Sequence, residues 1–114
     1  MKAVFIETSA FTEWVGELLP DDVYAALQQV LMDNPTKGDL IKGCGGLRKI
    51  RVADPLRSKG KRGGARAVYL YVPEVKTFYM LDIYGKAEKD DLNAYEKKEL
   101  TRLVEKLKSL HRHE

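Results

Sequence analysis

Lys49 and Arg51 stand two apart in the β-prone stretch 47–53, so in a strand both side chains leave the same face of the sheet. Like charges on one face repel and add nothing to a core. A phosphate-bearing ligand explains the placement better than packing does. Arg66 opens a further strand after a glycine-rich loop, where pairing with 47–53 would complete a three-cation pocket. Tyr84-Gly85-Lys86 closes a later strand that a meander would bring to the same edge. Tyr84 offers a hydroxyl or a stacking ring there, and Gly85 permits close approach. Arg48 and the loop cations Lys59, Lys61 and Arg62 extend the basic surface as candidate RNA contacts. The competing reading of the same residues is a solvated strand face beside a flexible basic loop.

The charge is concentrated in this segment. Between Lys37 and Arg66 ten basic residues stand against two acidic ones, a net +8 in a chain of net +3, so the remaining sequence is acidic. A basic block on an acidic chain is the footprint expected of phosphate-backbone binding, with an affinity that falls steeply as salt rises. Other chemistries find little support. Two carboxylates in the basic region do not make a metal site, and Asp90-Asp91 is accounted for by the start of a helix. Cys44 is the single cysteine, so it has no disulfide partner within the chain. His111 and His113 fall in a terminal stretch expected to fray, which argues against a histidine acid–base pair. No nucleotide-binding glycine fingerprint is present, so no cofactor is expected. Lysine, arginine and tyrosine would have to carry any catalysis. A lysine among other cations can be pulled from its ordinary pKa near 10.4 toward neutrality and serve as a base. With arginines holding the phosphate, such a group suits attack by a ribose 2′-hydroxyl, which DNA lacks.

The elements that must position these residues follow from the periodicity. The 114 residues suit one domain spanning 1–114, and with no apolar run near the roughly 20 residues of a membrane helix, a cytoplasmic location is expected. Residues 3–8 read as a strand. Ser9 then caps a helix with Phe11, Trp14, Val15, Leu18 and Leu19 on one face, and Pro20 ends it. A second helix from Asp21 or Asp22 carries Val23, Ala26, Leu27, Val30 and Leu31, closing a helical hairpin at Asn34-Pro35. A glycine-punctuated connection over 36–46 leads to strands at 47–53, 65–72 and 77–84, the last two joined by a turn at 73–76. Asn93 and Glu96 at capping-box spacing start a final helix of about 18 residues striped by Leu100, Leu103, Val104, Leu107 and Leu110. The order predicted is β-α-α-β-β-β-α. This is an α+β fold with a mainly antiparallel twisted sheet packed on the N-terminal hairpin and the C-terminal helix.

Three motifs in order, 45–52 (GGLRKIRV), 60–66 (GKRGGAR) and 83–86 (IYGK), resemble the HigB branch of the RelE/ParE toxin superfamily, with the likeness covering nearly the whole chain. The resemblance implies a RelE-like fold and a metal-independent, ribosome-dependent mRNA interferase. Such a protein is the toxin of a type II toxin–antitoxin pair and cuts mRNA in the ribosomal A site by 2′-hydroxyl attack, leaving a 2′,3′-cyclic phosphate. It further implies Lys49 as base or cationic stabiliser, Arg51 and Arg66 as phosphate clamps, and Lys86 at the leaving group or phosphate. The implied partners are the ribosome, mRNA and a cognate antitoxin, a small helix-turn-helix protein, with the free toxin monomeric. Two positions depart from the family pattern. Ala87 stands where many RelE-type toxins have arginine, and Asn93 stands near the place of a catalytic tyrosine, for which Tyr84, or Tyr95, could substitute. A ParE-like gyrase poison and a non-catalytic RNA- or ribosome-binding module are the alternatives.

Overall fold

The computed structural model describes residues 1–52, 64–85, 88, 89 and 91–112. Its elements run β1 (Val4–Glu7), α1 (Ser9–Leu18), α2 (Asp21–Asp33), β2 (Asp39–Leu40), β3 (Arg48–Val52), β4 (Ala65–Val72), β5 (Thr77–Gly85) and α3 (Ala94–Arg112). The strands form one sheet in the order β1-β5-β4-β3-β2. From β5 to β2 all pairing is antiparallel, as a meander requires, but β1 lies parallel to β5, so the sheet is mixed. The short strand β2 is an addition to the predicted order; Asp39 and Leu40 pair with Lys49 and Arg48 inside what reads as a connection.

Both faces of the sheet are covered. On one, Phe11, Leu19, Leu27 and Leu31 of the helical hairpin pack on Ile50, Val52, Ala65, Ala67, Tyr69, Phe78, Met80 and Ile83. On the other, α3 lays Val104, with Leu100, Leu103 and Leu107 beside it, over Leu47, Val68, Leu70 and Leu81. The alternation of β3 and β4 residues between the two cores is the period-2 pattern of central strands with helices above and below. Tyr69 is fully buried and fastens the α2–β2 connection to the sheet, its hydroxyl donating to the Pro35 carbonyl at 2.8 Å and accepting from the Gly38 amide at 3.0 Å.

Helix ends obey local chemistry with three corrections. Thr8, not Ser9, caps α1, its hydroxyl oxygen accepting from the Phe11 amide at 3.1 Å while the hydroxyl donates to the Leu81 carbonyl at 2.9 Å. Leu19 lies just past the helix but remains in the core. The capping box of α3 forms as expected, Glu96 accepting from the Asn93 amide at 2.9 Å and Asn93 from the Glu96 amide at 2.8 Å. His111 is not in a frayed tail. It is helical, with Nε2 2.7 Å from the Tyr79 hydroxyl.

The connection between β2 and β3 turns on left-handed glycines. Gly45 (φ +70°) sits against α3, and a Cβ there would lie 3.0 Å from Cγ1 of the fully buried Val104; Gly43 (φ +75°) has open space around it. Gly43→Ala should therefore cost only the backbone strain, about 1 kcal/mol, and Gly45→Ala more, about 2–3 kcal/mol, because the core must also shift. Urea unfolding of the two variants measures the difference.

Candidate functional site

Strand register gathers the residues singled out above. Arg51 pairs with Arg66, and Arg66 with Tyr84, so the three form one row across β3, β4 and β5 on the face that carries α3. With strands about 4.8 Å apart, this row spans about 10 Å. The next row on the same face is Lys49, Val68 and Asp82. Arg51 is exposed, Arg66 and Lys49 half-buried, and Tyr84 buried. Neither Arg51 nor Arg66 has an acidic partner among the described residues, a like-charge pairing that disfavours the free protein and favours an anion.

Lys49 differs from its neighbours. Its ammonium donates to Asp91 at 3.0 Å, and Lys97 lies 3.9 Å from the other oxygen of that carboxylate. The hydrogen bond from Lys49 holds the Asp91 carboxyl below its usual range, assisted by the Leu92 amide and the charge of Lys97. Asp91 thus does more than start a helix: it sets an anion against Lys49.

Tyr84 is 3% exposed, and its hydroxyl has no hydrogen-bond partner among the described residues. Burial, followed by the charge of Asp91, pushes its pKa up to about 12, against the opposing pull of Arg66. At neutral pH it is a proton donor. The Lys89 ammonium lies over the ring at 4.9 Å and also pairs with Glu96. Asp82 sits at a β-bulge, where Leu81 and Asp82 together oppose Val68. Burial raises its pKa, countered by the Ile83 amide, which donates to one oxygen at 2.9 Å.

Arg48 is not brought to this site. It shares the opposite face with Ile50 and Val52, and its guanidinium donates to the carbonyls of Gly38 at 2.7 Å and Thr36 at 3.2 Å, bracing the connection into β2. Lys59, Lys61, Arg62 and Lys86 lie outside the described residues. Asp82 and Asp91 were not singled out as site residues. Asp82 is two residues before Tyr84 in a strand, so period 2 alone marks it as sharing that face. The pairing of Asp91 with Lys49 spans 42 residues and has no local signal.

The fold is an α+β sandwich of the RelE type. A mutant of the E. coli toxin RelE in the free state matches with a TM-score of 0.52 and 19% identity, covering 79% of this chain and 90% of that one. The archaeal RelE–RelB complex from Pyrococcus horikoshii matches with a TM-score of 0.52 and 14% identity, covering 78% of this chain and 100% of that one. No family model matches the sequence. Among the described residues no helix is long and apolar enough to cross a membrane.

A carboxyl whose folded pKa is raised contributes stability that is present below its unfolded pKa, near 3.9, and lost as pH rises through the folded value. Ionised Asp82 therefore costs stability at neutral pH. Asp82→Asn should raise the melting temperature at pH 7, and the gain should vanish below about pH 4; thermal melts across that range test the sign. Asp91→Asn should change stability by less than about 1 kcal/mol, because the pair it breaks is half-exposed; urea unfolding of the variant checks the size.

Proposed function

We propose that this chain is the toxin of a toxin–antitoxin pair and cleaves mRNA on the ribosome without a metal ion. The observation that carries the reading is the row Arg51–Arg66–Tyr84, flanked by Lys49. Two guanidiniums one strand apart, without an acidic partner among the described residues, suit a phosphate diester, bound by forked N–H donors. The 2′-oxygen attacks the adjacent phosphorus, the bond to the 5′-oxygen breaks, and a 2′,3′-cyclic phosphate and a 5′-hydroxyl result. Arg51 and Arg66 stabilise the charge that grows on the phosphate oxygens. Lys49, on exchanging Asp91 for the phosphate, either neutralises the same charge as an ammonium while the 2′ proton passes to solvent, or first loses its own proton to solvent and then takes the 2′ proton as an amine. Tyr84, protonated at neutral pH and with no hydrogen-bond partner for its hydroxyl among the described residues, is suited to donate to the departing 5′-oxygen. Lys86 belongs to the same proposal as a leaving-group or phosphate contact. Lys59, Lys61 and Arg62 are proposed as RNA contacts.

The reading, in which the chain itself is a toxin of the HigB type, carries its partners with it: the ribosome, which presents the message, and a cognate antitoxin, for which a small helix-turn-helix protein is proposed. Its place of action is the cytoplasm, where translation occurs, and the free toxin is monomeric. The likeness to the RelE–RelB complex supports an antitoxin partner.

Programmed ribosomes supply the test. The wild-type chain should cut mRNA in phase with codons. Lys49→Ala and Arg66→Ala should each slow cleavage by about 10²–10³-fold, and Tyr84→Phe by about 10²-fold or more. The last variant keeps the packing and removes only a hydroxyl without a partner among the described residues, so a loss of rate reports chemistry rather than unfolding. Wild-type rates in all three variants would sink the assignment of the site. Intact mRNA with broken DNA in arrested cells would point instead to a gyrase poison, and ribosome binding without cleavage to a non-catalytic module.

A further inference from the structure

Next to the cationic row, at the end of β5, lies a cavity of about 260 Å³ lined by Trp14, Asp82, Tyr84, Glu88, Lys89 and Glu96 among others. It is below the range typical of drug-sized pockets and suits a single heterocycle. We infer that this cavity is a guanine-binding subsite, in which Trp14 stacks on the base and Asp82 accepts hydrogen bonds from its N1–H and N2–H groups. The inference rests on the reading of the adjacent row as a phosphate site.

Three observations converge. First, carboxylates beside a phosphate-binding row repel RNA unless they bind something that donates. Asp82 offers such an acceptor: one oxygen takes the Ile83 amide, and the other has no hydrogen-bond partner among the described residues. Second, Tyr84 lines the same cavity, and its buried hydroxyl has no hydrogen-bond partner among the described residues, a polar group whose desolvation a ligand would relieve. Third, Trp14 is 46% exposed on α1, a large flat ring at the cavity wall with room for a partner.

The choice of base follows from donor geometry. A carboxylate only accepts, so it selects an edge with two adjacent donors. Guanine has one, N1–H beside the N2 amine. Adenine and cytosine place a single amine next to a ring nitrogen acceptor, and uracil places one N–H between two carbonyls. The Lys89 ammonium, already at the cavity, supplies a donor for the guanine O6. Tyr84 belongs to both features, one strand spacing of about 4.8 Å from Arg66, so a base in the cavity and its own phosphate on the arginine are compatible.

Trp14 is the single tryptophan in the sequence and serves as the reporter. In titrations of the whole protein, guanosine 5′-monophosphate should quench its fluorescence saturably, with AMP, CMP and UMP at least about tenfold weaker. Asp82→Asn should weaken GMP to the level of AMP; if that variant fails to fold, Asp82→Ser carries the same comparison. Equal quenching by all four nucleotides, or an unchanged preference in a folded Asp82 variant, overturns the inference. The titration needs no ribosome, so the two readings fail separately. GMP preference without mRNA cleavage would remove the nuclease and keep the subsite, whereas cleavage by a chain that binds all four nucleotides alike would do the reverse.

Discussion

The site depends on the register of β4 with its two antiparallel neighbours. Because Arg66 faces Arg51 on one side and Tyr84 on the other, three residues separated by up to 33 positions in the chain stand in one line. A slip of one residue in either pairing would send a member of that line to the opposite face, into the core under the helical hairpin. The hydrophobic pattern forbids the slip. Ala65, Ala67 and Tyr69 belong to the hairpin side and Val68 and Leu70 to the α3 side, so the burial of β4 on both faces fixes where its one arginine emerges.

That arrangement has an electrostatic cost, and the fold offsets it unevenly. Arg51 and Arg66 have no acidic partner among the described residues, while Lys49 is held by Asp91 at the start of α3. The carboxylate that answers Lys49 therefore comes from the segment leading into the helix that packs the same face. That ion pair is half-exposed and of little intrinsic worth, so under the proposed function its exchange for a phosphate would cost binding little.

Most of this architecture is legible from local pattern. β4 at 65–72 shows its bounds through its β-branched and aromatic run, and α3 through the Asn93–Glu96 box and its leucine stripe. The pairing of Lys49 and Arg51 on one face needs only period 2. What local pattern misses is long-range. Two residues of β2 become a strand only because β3 offers an edge to pair with, and β1 lies parallel to β5 because the helical hairpin carries the chain from one edge of the sheet to the other. Arg48 illustrates the limit for the site: its charge suggests a phosphate, but its parity places it with Ile50, where backbone carbonyls take its donors.

The same face is divided along the strand direction of pairing, cations on β3 and β4 and acids toward the end of β5. Were phosphate binding the only task, the acids Asp82, Glu88 and Glu96 would weaken it through long-range repulsion, and the half-buried Asp82 would cost stability besides. Were packing the only task, Asp82 would be apolar like its neighbours Leu81 and Ile83. Under the proposed function a nucleotide would reconcile the two halves, since it presents an anion at one end and hydrogen-bond donors at the other. Tyr84 stands at the boundary, with a ring under Lys89 and a hydroxyl that has no partner among the described residues, where the sugar between phosphate and base would lie.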